Sequence, residues 1–182
     1  TGSFFRVEHL VFEFIFGLHL PLGALSGNGA VPGKRFQNKP ELASTCAEQE
    51  FVFFGDYFAR SSKRSGAWCS SFRSQSKLHK DETPIVINVC NFAKPGNSEE
   101  ALLTIDDATT LFHEFGHALH NLLSNVTYSR ISGTSVARDF VELPSQLFEH
   151  WLLTPEVLDK FAISIETGKS MPKKLSEKLL KS

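Results

Sequence analysis

The stretch TIDDATTLFHEFGHALHNLLS, residues 104–124, decides the fold of this chain because its apolar residues form a periodic pattern. They recur at the three- and four-residue spacing that places them on one face of an α-helix. Thr104 and Asp107 resemble a capping box, with Asp in place of the usual Glu. Asp106 adds negative charge at the positive end of the helix dipole. The sequence therefore predicts a helix over residues 104–124.

Within this predicted helix, residues 113–117 read HEFGH and match the pattern H-E-x-x-H. Residues four apart on a helix lie one turn apart on the same face, so His113 and His117 can both reach one zinc ion at about 2.0–2.1 Å. Glu114 lies on a neighbouring face, from which its carboxylate can accept a proton from the attacking water. Random placement of the chain's histidines and glutamates gives roughly 0.02 matches to this pattern. A surface helix that holds two histidines by chance is therefore the weaker interpretation.

A zinc site of this type needs a third protein ligand from outside the motif. His120 lies on the same helix face, but it is seven residues from His113, which corresponds to about 10.5 Å of helix rise. One zinc ion cannot bind both of them together with His117 on a straight helix. We therefore predict that His120 packs nearby or orients a ligand. The HExxHxxGxxH pattern also fails, because position 120 is not Gly and Leu123 stands where its third His would be.

Glu142 is the better candidate for the third ligand. It lies in the next predicted helix, after a loop that is long enough for the chain to reverse its direction. Its neighbours Phe140, Val141, Leu143 and Pro144 are apolar. A lone carboxylate in apolar surroundings is costly unless it is paired or bound to a metal.

His113, His117 and Glu142 would leave a fourth zinc position open for water, which is typical of a catalytic zinc and not of a structural one. Glu149 lies two turns further along the same predicted helix. It could orient a ligand histidine through a hydrogen bond, or it could be a solvated surface carboxylate. The sequence favours neither of these two interpretations of Glu149.

The remaining pattern predicts an α+β fold in which helices dominate and the strands form a small antiparallel sheet. Gly and Pro residues indicate a loop over residues 21–40. The β-branched segment PIVINVCNF, residues 84–92, is the best strand prediction. This strand could offer an edge to an extended peptide, or it could be an ordinary buried strand. The other predicted elements are a helix at 4–20, strands at 51–59 and 66–73, a helix at 139–153 that Pro144 could kink, a helix from Thr154 to Gly168, and a short helix from Pro172.

The composition narrows the functional classes that remain open. The formal net charge is −1, so the charge gives no reason to expect nucleic acid or an anionic membrane as a partner. Cys46, Cys69 and Cys90 are widely spaced and form no CxxC pair, which argues against a disulfide framework and for a reducing compartment. Charged residues interrupt the apolar stretch at residues 4–20, so it is too polar for a membrane span, and we expect a soluble protein.

Several segments resemble the thimet oligopeptidase and peptidyl-dipeptidase family of zinc peptidases, which are gluzincins. These segments are LFHEFGHALHNLLS (111–124), SGTSVARDFVELPSQLFEHW (132–151), GDYFARSSKRSGAW (55–68) and PIVINVCNF (84–92). The amino-acid sequence of the second segment resembles the peptidyl-dipeptidase branch more than oligopeptidase A. The resemblance implies that His113, His117 and Glu142 bind one Zn²⁺ per chain and that Glu114 is the catalytic carboxylate. It also implies a mainly helical cytoplasmic enzyme with a deep channel that admits short peptides.

The resemblance also predicts how the chain is organised. Residues 1–50 would hold a partial N-terminal helix and a poorly matching loop, and residues 51–182 would be part of a zinc peptidase catalytic domain whose remainder is missing. The family's C-terminal His and Tyr residues, which bind substrate and stabilise the oxyanion, have no counterpart here, where Tyr57 and Tyr128 are the two tyrosines. Three hypotheses therefore remain: a zinc peptidase for short peptides, a zinc-binding fragment without activity, and a helical interaction module with incidental histidines.

Overall fold

The computed structural model describes residues 5–6, 52–94, 102–164 and 167–179 of the chain. This part of the chain mixes α-helices with short strands. In chain order the elements are β1 (Phe5–Arg6), β2 (Val52–Phe58), β3 (Trp68–Arg73), β4 (Ile85–Phe92), β5 (Leu102–Leu103), α1 (Ile105–Leu122), α2 (Leu143–Leu152), α3 (Pro155–Phe161) and α4 (Lys173–Leu179). The strands predicted at 51–59, 66–73 and 84–92 are thus confirmed as β2, β3 and β4.

Strands β2, β4 and β3 form one sheet, in that order, with β4 in the centre. β4 pairs antiparallel with β3 but parallel with β2, so the prediction of an antiparallel sheet is wrong and the sheet is mixed. Two parallel neighbouring strands need a long connection, because the chain must return to the end of the sheet at which the first strand began. Here that connection contains β3. The chain leaves β2 at one edge of the sheet, forms β3 at the opposite edge, and then forms β4 between them.

The central position of β4 also corrects the prediction that it could offer an edge to an extended peptide. Both of its edges are occupied by neighbouring strands, so its backbone groups are already committed to the sheet. Its side chains Val86, Cys90 and Phe92 are buried, which agrees with the alternative interpretation as an ordinary buried strand.

A second, two-stranded sheet joins the start of the chain to the segment before α1. Strand β1 pairs antiparallel with β5, with Phe5 opposite Leu103 and Arg6 opposite Leu102. The helix predicted at residues 4–20 is therefore wrong at these two positions, because β5 supplies them with an extended partner strand. The rest of that helix, the loop at residues 21–40 and nearly all of the proposed region 1–50 lie outside the described residues.

Helix α1 begins where the capping pattern predicts and confirms the helix at residues 104–124. The side-chain oxygen of Thr104 accepts from the backbone N–H of Asp107 at 3.1 Å, and the carboxylate of Asp107 accepts from the backbone N–H of Thr104 at 3.2 Å. This reciprocal pair satisfies N–H groups that have no partner inside the helix. Of the helices in the described ranges, none combines the length and hydropathy that a membrane span requires.

One face of α1 packs on the sheet and an adjacent face packs on α2. The ring of Phe115 meets Phe53 of β2 edge to face, with ring centroids 5.5 Å apart. Phe148 of α2 inserts between Phe112 and Phe115, at 5.7 and 5.9 Å. Each fully buried aromatic side chain contributes about 1.5–3 kcal/mol through removal of apolar surface from water. This packing holds α1 firmly between the sheet and α2.

Helix α2 is shorter at its start than the prediction of residues 139–153. It begins at Leu143, and the residues before it form turns. Pro144 lies in the first turn of α2, where a helix N–H has no partner in any case, so it starts the helix and does not kink it. The predicted helix start after Thr154 is confirmed by α3.

The helix predicted from Thr154 was expected to end at Gly168. This is wrong, because α3 ends at Phe161. Ala162 leaves the helical conformation, and Ile163 then forms an isolated antiparallel bridge with Ser170. Gly168 has a φ of 63° and so takes a left-handed conformation, which suits Gly, in the segment that leads to this bridge. Helix α4 confirms the short helix predicted from Pro172.

Candidate metal centre

Helix α1 brings the two histidines of the HEFGH motif onto one face. The ring centroids of His113 and His117 are 4.8 Å apart and the rings stand nearly perpendicular. Both side chains are half-buried, so they are accessible from one side. One helical turn between the two positions is the local cause of this pairing.

Glu142 approaches both histidines with the same carboxylate oxygen. Its Oε2 lies 3.3 Å from Nε2 of His113 and 3.1 Å from Nε2 of His117. One ligand atom from each of the three residues lies within 4.8 Å of the others. The structure therefore brings the three predicted ligands together.

The arrangement fits a zinc ion in its spacing and in its donor chemistry. Two zinc bonds of about 2.0–2.1 Å at a tetrahedral angle place their donor atoms about 3.3 Å apart. The two nitrogen-to-oxygen distances of 3.3 and 3.1 Å are close to this value. Two imidazole nitrogens and one carboxylate oxygen are also a donor set that zinc accepts in catalytic sites.

The position of Glu142 differs in two respects from the prediction. It is the residue immediately before α2 and not a residue within the helix. Its side chain is 48% exposed, and Phe140 and Leu143 beside it are exposed as well. The prediction that Glu142 lies in apolar surroundings is therefore wrong, because Phe140 and Leu143 face outward and the two histidines contact its carboxylate.

Gly116, inside the motif, allows the close approach of α1 to the segment that carries Glu142. A Cβ atom at this position would lie 2.5 Å from Cα of Ser145 and 2.8 Å from the carbonyl oxygen of Pro144. This role of Gly116 was not predicted from the sequence. A Gly in the middle of a strongly helical pattern was the available signal, since such a residue is otherwise unfavourable there.

Ser145, which the sequence analysis also missed, contacts Glu142 directly. Its hydroxyl lies 2.8 Å from the carbonyl oxygen of Glu142 and 2.8 Å from Oε2 of the same residue. This hydrogen bond is the main cause that lowers the pKa of the Glu142 carboxyl, and the two histidines lower it further. These contacts therefore favour the ionised form of this carboxyl.

Glu149 contacts Nδ1 of His113 through its Oε1. Its interpretation as a solvated surface carboxylate is therefore wrong. An ionised carboxylate can only accept a hydrogen bond, so Nδ1 is the donor, and in the neutral imidazole Nε2 is then the nitrogen that carries the lone pair. That lone pair is on the nitrogen that lies near Glu142. Metal-binding histidines commonly have such a partner.

Glu114 is buried, with only 7% of the residue exposed. Burial raises the pKa of its carboxyl, the charge of Glu142 adds to this effect, and His113 opposes it. On the sheet, burial and the charge of Glu114 raise the pKa of Cys69 and of Cys90 to about 12. The surroundings of Glu114, Cys69 and Cys90 therefore disfavour negative charge.

The second histidine is held through the backbone of α1. The side-chain amide of Asn121 donates to the carbonyl oxygen of His117 at 2.8 Å. Its Oδ1 lies 3.3 Å from the hydroxyl of Ser71 on β3 and 3.4 Å from the backbone nitrogen of Thr134. This buried amide ties α1, the sheet and the following loop together. Spacing on a single helix could not have indicated it.

His120 and the two tyrosines lie outside the group of three ligand atoms. The ring of His120 packs against Phe140 at 6.0 Å, which confirms the prediction that it packs nearby. Tyr57 is buried in the core and stacks on Phe92, with ring centroids 6.5 Å apart. Tyr128 is exposed.

The sequence matches the model of peptidase family M3 over residues 9–182. It is 49% identical over 128 residues to dipeptidyl carboxypeptidase from Escherichia coli, a match that covers 70% of this chain and 19% of that protein. It is 42% identical over 143 residues to oligopeptidase A from the same organism, covering 77% of this chain and 21% of that protein. It is also 45% identical over 108 residues to thimet-like oligopeptidase from Dictyostelium discoideum, covering 58% of this chain and 16% of that protein.

The chain thus spans about one fifth of the length of the curated relatives that it matches. The matching region contains both the HEFGH motif and Glu142. Because the family model covers nearly the whole chain, this chain belongs to peptidase family M3.

Proposed function

We propose that this chain is the zinc-binding part of a metallopeptidase that hydrolyses short oligopeptides. His113, His117 and Glu142 would hold one zinc ion per chain, and Glu114 would be the general base. The observation that carries the proposal is the convergence of one carboxylate oxygen on two imidazole nitrogens, at 3.1 and 3.3 Å. A helical interaction module with incidental histidines gives no reason for this convergence.

When bound, zinc supplies Lewis-acid chemistry, which polarises the scissile carbonyl and makes water a better nucleophile at neutral pH. Glu114 accepts the proton that this water loses and later gives it to the leaving amine. Burial raises the pKa of Glu114, and a raised pKa suits a carboxylate that must both take and return a proton near neutral pH. Glu149 keeps His113 in the tautomer whose Nε2 can bind a metal.

The substrate class follows from the names of the relatives. Oligopeptidase A and dipeptidyl carboxypeptidase both act on peptides by name, so we propose short peptides as substrates. Release of C-terminal dipeptides and internal cleavage both remain open as the mode of cleavage. We also propose a cytoplasmic setting, which is compatible with the free thiols of Cys69 and Cys90.

A zinc-binding fragment without peptidase activity is the second candidate. The chain spans about one fifth of the length of its relatives, and this candidate requires that the groups that stabilise the oxyanion lie in the part of those proteins that the chain does not match. Tyr57 is buried in the core and Tyr128 is exposed, and neither contributes an atom to the group of three ligands. Each missing oxyanion donor would reduce the rate by roughly 10²–10³-fold.

The test is mass spectrometry of peptide digests, with and without a zinc chelator, together with metal analysis. We expect about one zinc per chain and cleavage that stops when the chelator is added. Glu114→Gln should retain zinc and lose roughly 10²–10⁴-fold in cleavage rate, whereas Glu142→Ala should bind zinc more weakly, with the two histidines as its remaining protein ligands. Glu156→Gln, at an exposed position on α3, is the matched control and should change neither.

The outcomes separate the candidates. Zinc binding without any cleavage would support the inactive fragment. Unchanged turnover in Glu114→Gln would exclude Glu114 as the base. Absence of bound zinc in the wild-type chain would overturn the metal site and leave the interaction module.

A further inference from the structure

We infer that Ser145 is a positioning residue that aims Oε2 of Glu142 at the two imidazole nitrogens. This inference rests on the proposed function, because it concerns how the proposed zinc ligands are held. Ser145 itself belongs neither to the HEFGH motif nor to the group of ligand atoms.

The first step is that the hydroxyl and the histidines meet at one atom. The oxygen of Glu142 that lies 2.8 Å from the Ser145 hydroxyl is Oε2. The same Oε2 is the atom that lies 3.1 and 3.3 Å from the two histidine nitrogens. An ionised carboxylate oxygen has two lone-pair directions, so Ser145 can occupy one and leave the other for a cation.

The second step is that the hydroxyl hydrogen is available for this bond. The backbone carbonyl of Glu142 also lies 2.8 Å from the hydroxyl. However, that carbonyl already accepts the backbone N–H of Gln146 at 2.9 Å. The carboxylate carries the negative charge, and charge-assisted hydrogen bonds are about twice as strong as neutral ones. The hydroxyl therefore donates preferentially to the carboxylate.

The third step is that Glu142 needs a support and Ser145 can supply one. The Glu142 side chain is 48% exposed, so packing alone does not restrict its torsions. Ser145 is completely buried, and its Cα would lie 2.5 Å from a Cβ atom placed on Gly116 of α1. A fixed residue thus holds a flexible carboxylate, and it is itself located by the helix that carries the histidines.

The experiment measures the zinc dissociation constant of the whole chain by competition with a chromophoric chelator. Ser145→Ala should bind zinc roughly 10–100-fold more weakly, the loss typical when a partner of a metal ligand is removed. Ser145→Gly, which also removes the hydroxyl, should show a similar loss. Ser132→Ala is the matched control, because Ser132 is also buried but its hydroxyl bonds to Ser124. Its zinc affinity should not change.

A double-mutant cycle separates positioning from general damage to the fold. In the Glu142→Ala background, Ser145→Ala should change zinc affinity less than twofold, since the carboxylate on which it acts is absent. The visible spectrum of the cobalt(II)-substituted chain should also change in Ser145→Ala and not in Ser132→Ala. These two readouts would not respond to a serine that only stabilises the helix.

Two results would overturn the inference. An equal loss of affinity from Ser145→Ala in the presence and absence of Glu142 would assign Ser145 a purely structural role. Unchanged affinity in Ser145→Ala and Ser145→Gly would exclude positioning while leaving the proposed zinc site intact. Failure of the wild-type chain to bind zinc is a different result, which would overturn the proposed function and this inference together.

Discussion

Gly116 illustrates how much of the site depends on a residue without a side chain. It lies between the two histidines in sequence, on the side of α1 that meets the start of α2. The backbone of Ser145 and the carbonyl of Pro144 occupy the space that a Cβ atom would need. Glu142, two residues before Pro144, belongs to the same segment and lies 3.1 and 3.3 Å from the two histidine nitrogens.

We expect Gly116→Ala to weaken zinc binding and to destabilise the fold. Alanine favours a helix by about 1 kcal/mol over glycine, but overpacking against a backbone typically costs about 1–3 kcal/mol. The backbone of Ser145 cannot rotate away as a flexible side chain would, so the clash should outweigh the helix propensity. Urea unfolding and zinc titration measure the two effects. A more stable variant with wild-type zinc affinity would contradict this account.

Helix α1 begins with a reciprocal cap between Thr104 and Asp107. The cap matters for the site because α1 carries both histidines and the proposed base. Hydrogen bonds at a helix start satisfy N–H groups that the helix leaves without a partner. The cap was visible in the sequence because it is a local pattern of four residues.

We expect Thr104→Ala to lower the free energy of unfolding by about 1 kcal/mol, the usual cost of losing such a cap. Thr109→Ala is the matched control within the same helix. The hydroxyl of Thr109 donates to the carbonyl of Ile105 at 2.9 Å, and such a bond does not add to the stability of a helix. Alanine is also the better helix former. Chemical denaturation of both variants tests this, and equal losses would contradict the assignment of the cap.

The end of strand β2 is held by a cluster of charged residues. The carboxylate of Asp56 accepts from Arg60 at 2.7 Å and pairs with Lys63 at 3.1 Å. The ammonium of Lys63, whose side chain is only 3% exposed, also donates to the backbone carbonyls of Asp56 and Phe58. Burial raises the pKa of Asp56, but the bonds from Arg60 and Lys63 outweigh it and lower the pKa below its usual value.

This cluster predicts a stability that depends on pH. A carboxyl whose pKa is lower in the folded state stabilises the fold above its unfolded pKa of about 3.9, and the contribution disappears as pH falls through the folded value. Asp56→Asn should therefore cost about 1 kcal/mol at pH 7, after solvent screening, and progressively less below about pH 4.

Denaturant unfolding at pH 7, 4 and 3 measures this difference. Asp159→Asn is the control at an exposed position on α3, and we expect it to have little effect at any of these pH values. A difference for Asp56→Asn that stays constant from pH 7 to 3 would argue against the ion-pair explanation.

The candidate metal centre joins parts of the chain that are separate in sequence. Its two histidines come from α1, and Glu142 comes from the segment just before α2. A zinc ion bound by all three would clamp these two segments together. Because a metal that binds only the folded state stabilises it by mass action, the site and the fold should be thermodynamically linked.

We expect zinc to raise the free energy of unfolding by about 2.7 kcal/mol when it is present at 100 times its dissociation constant. A chelator should reverse this gain. His117→Ala should show no response to zinc, because one of the three ligand atoms is absent. Thermal and chemical unfolding with and without the chelator provide the measurement. Equal zinc stabilisation of the wild type and His117→Ala would place the metal elsewhere.

The elements that the sequence predicted best are those whose signals are local. The strand at residues 84–92 shows its β-branched composition directly, and α1 shows both its periodicity and its cap. The predictions were wrong where contacts between residues distant in the sequence determine the structure. The direction of β2 relative to β4 depends on where the chain crosses the sheet, and α3 ends at Phe161 because the next residues pair with Ser170 and Met171. Gly168 could not indicate this from its own neighbourhood.

By itself, the sequence determined that His113 and His117 share a helix face, because a four-residue spacing is a property of the helix alone. It also indicated Glu142 as the third candidate. Only the tertiary structure decided how Glu142 reaches them, because that distance depends on two segments packing at Gly116 and on a hydroxyl from Ser145. The packing at Gly116 joins segments that are far apart in the chain, and no local pattern of side chains records it.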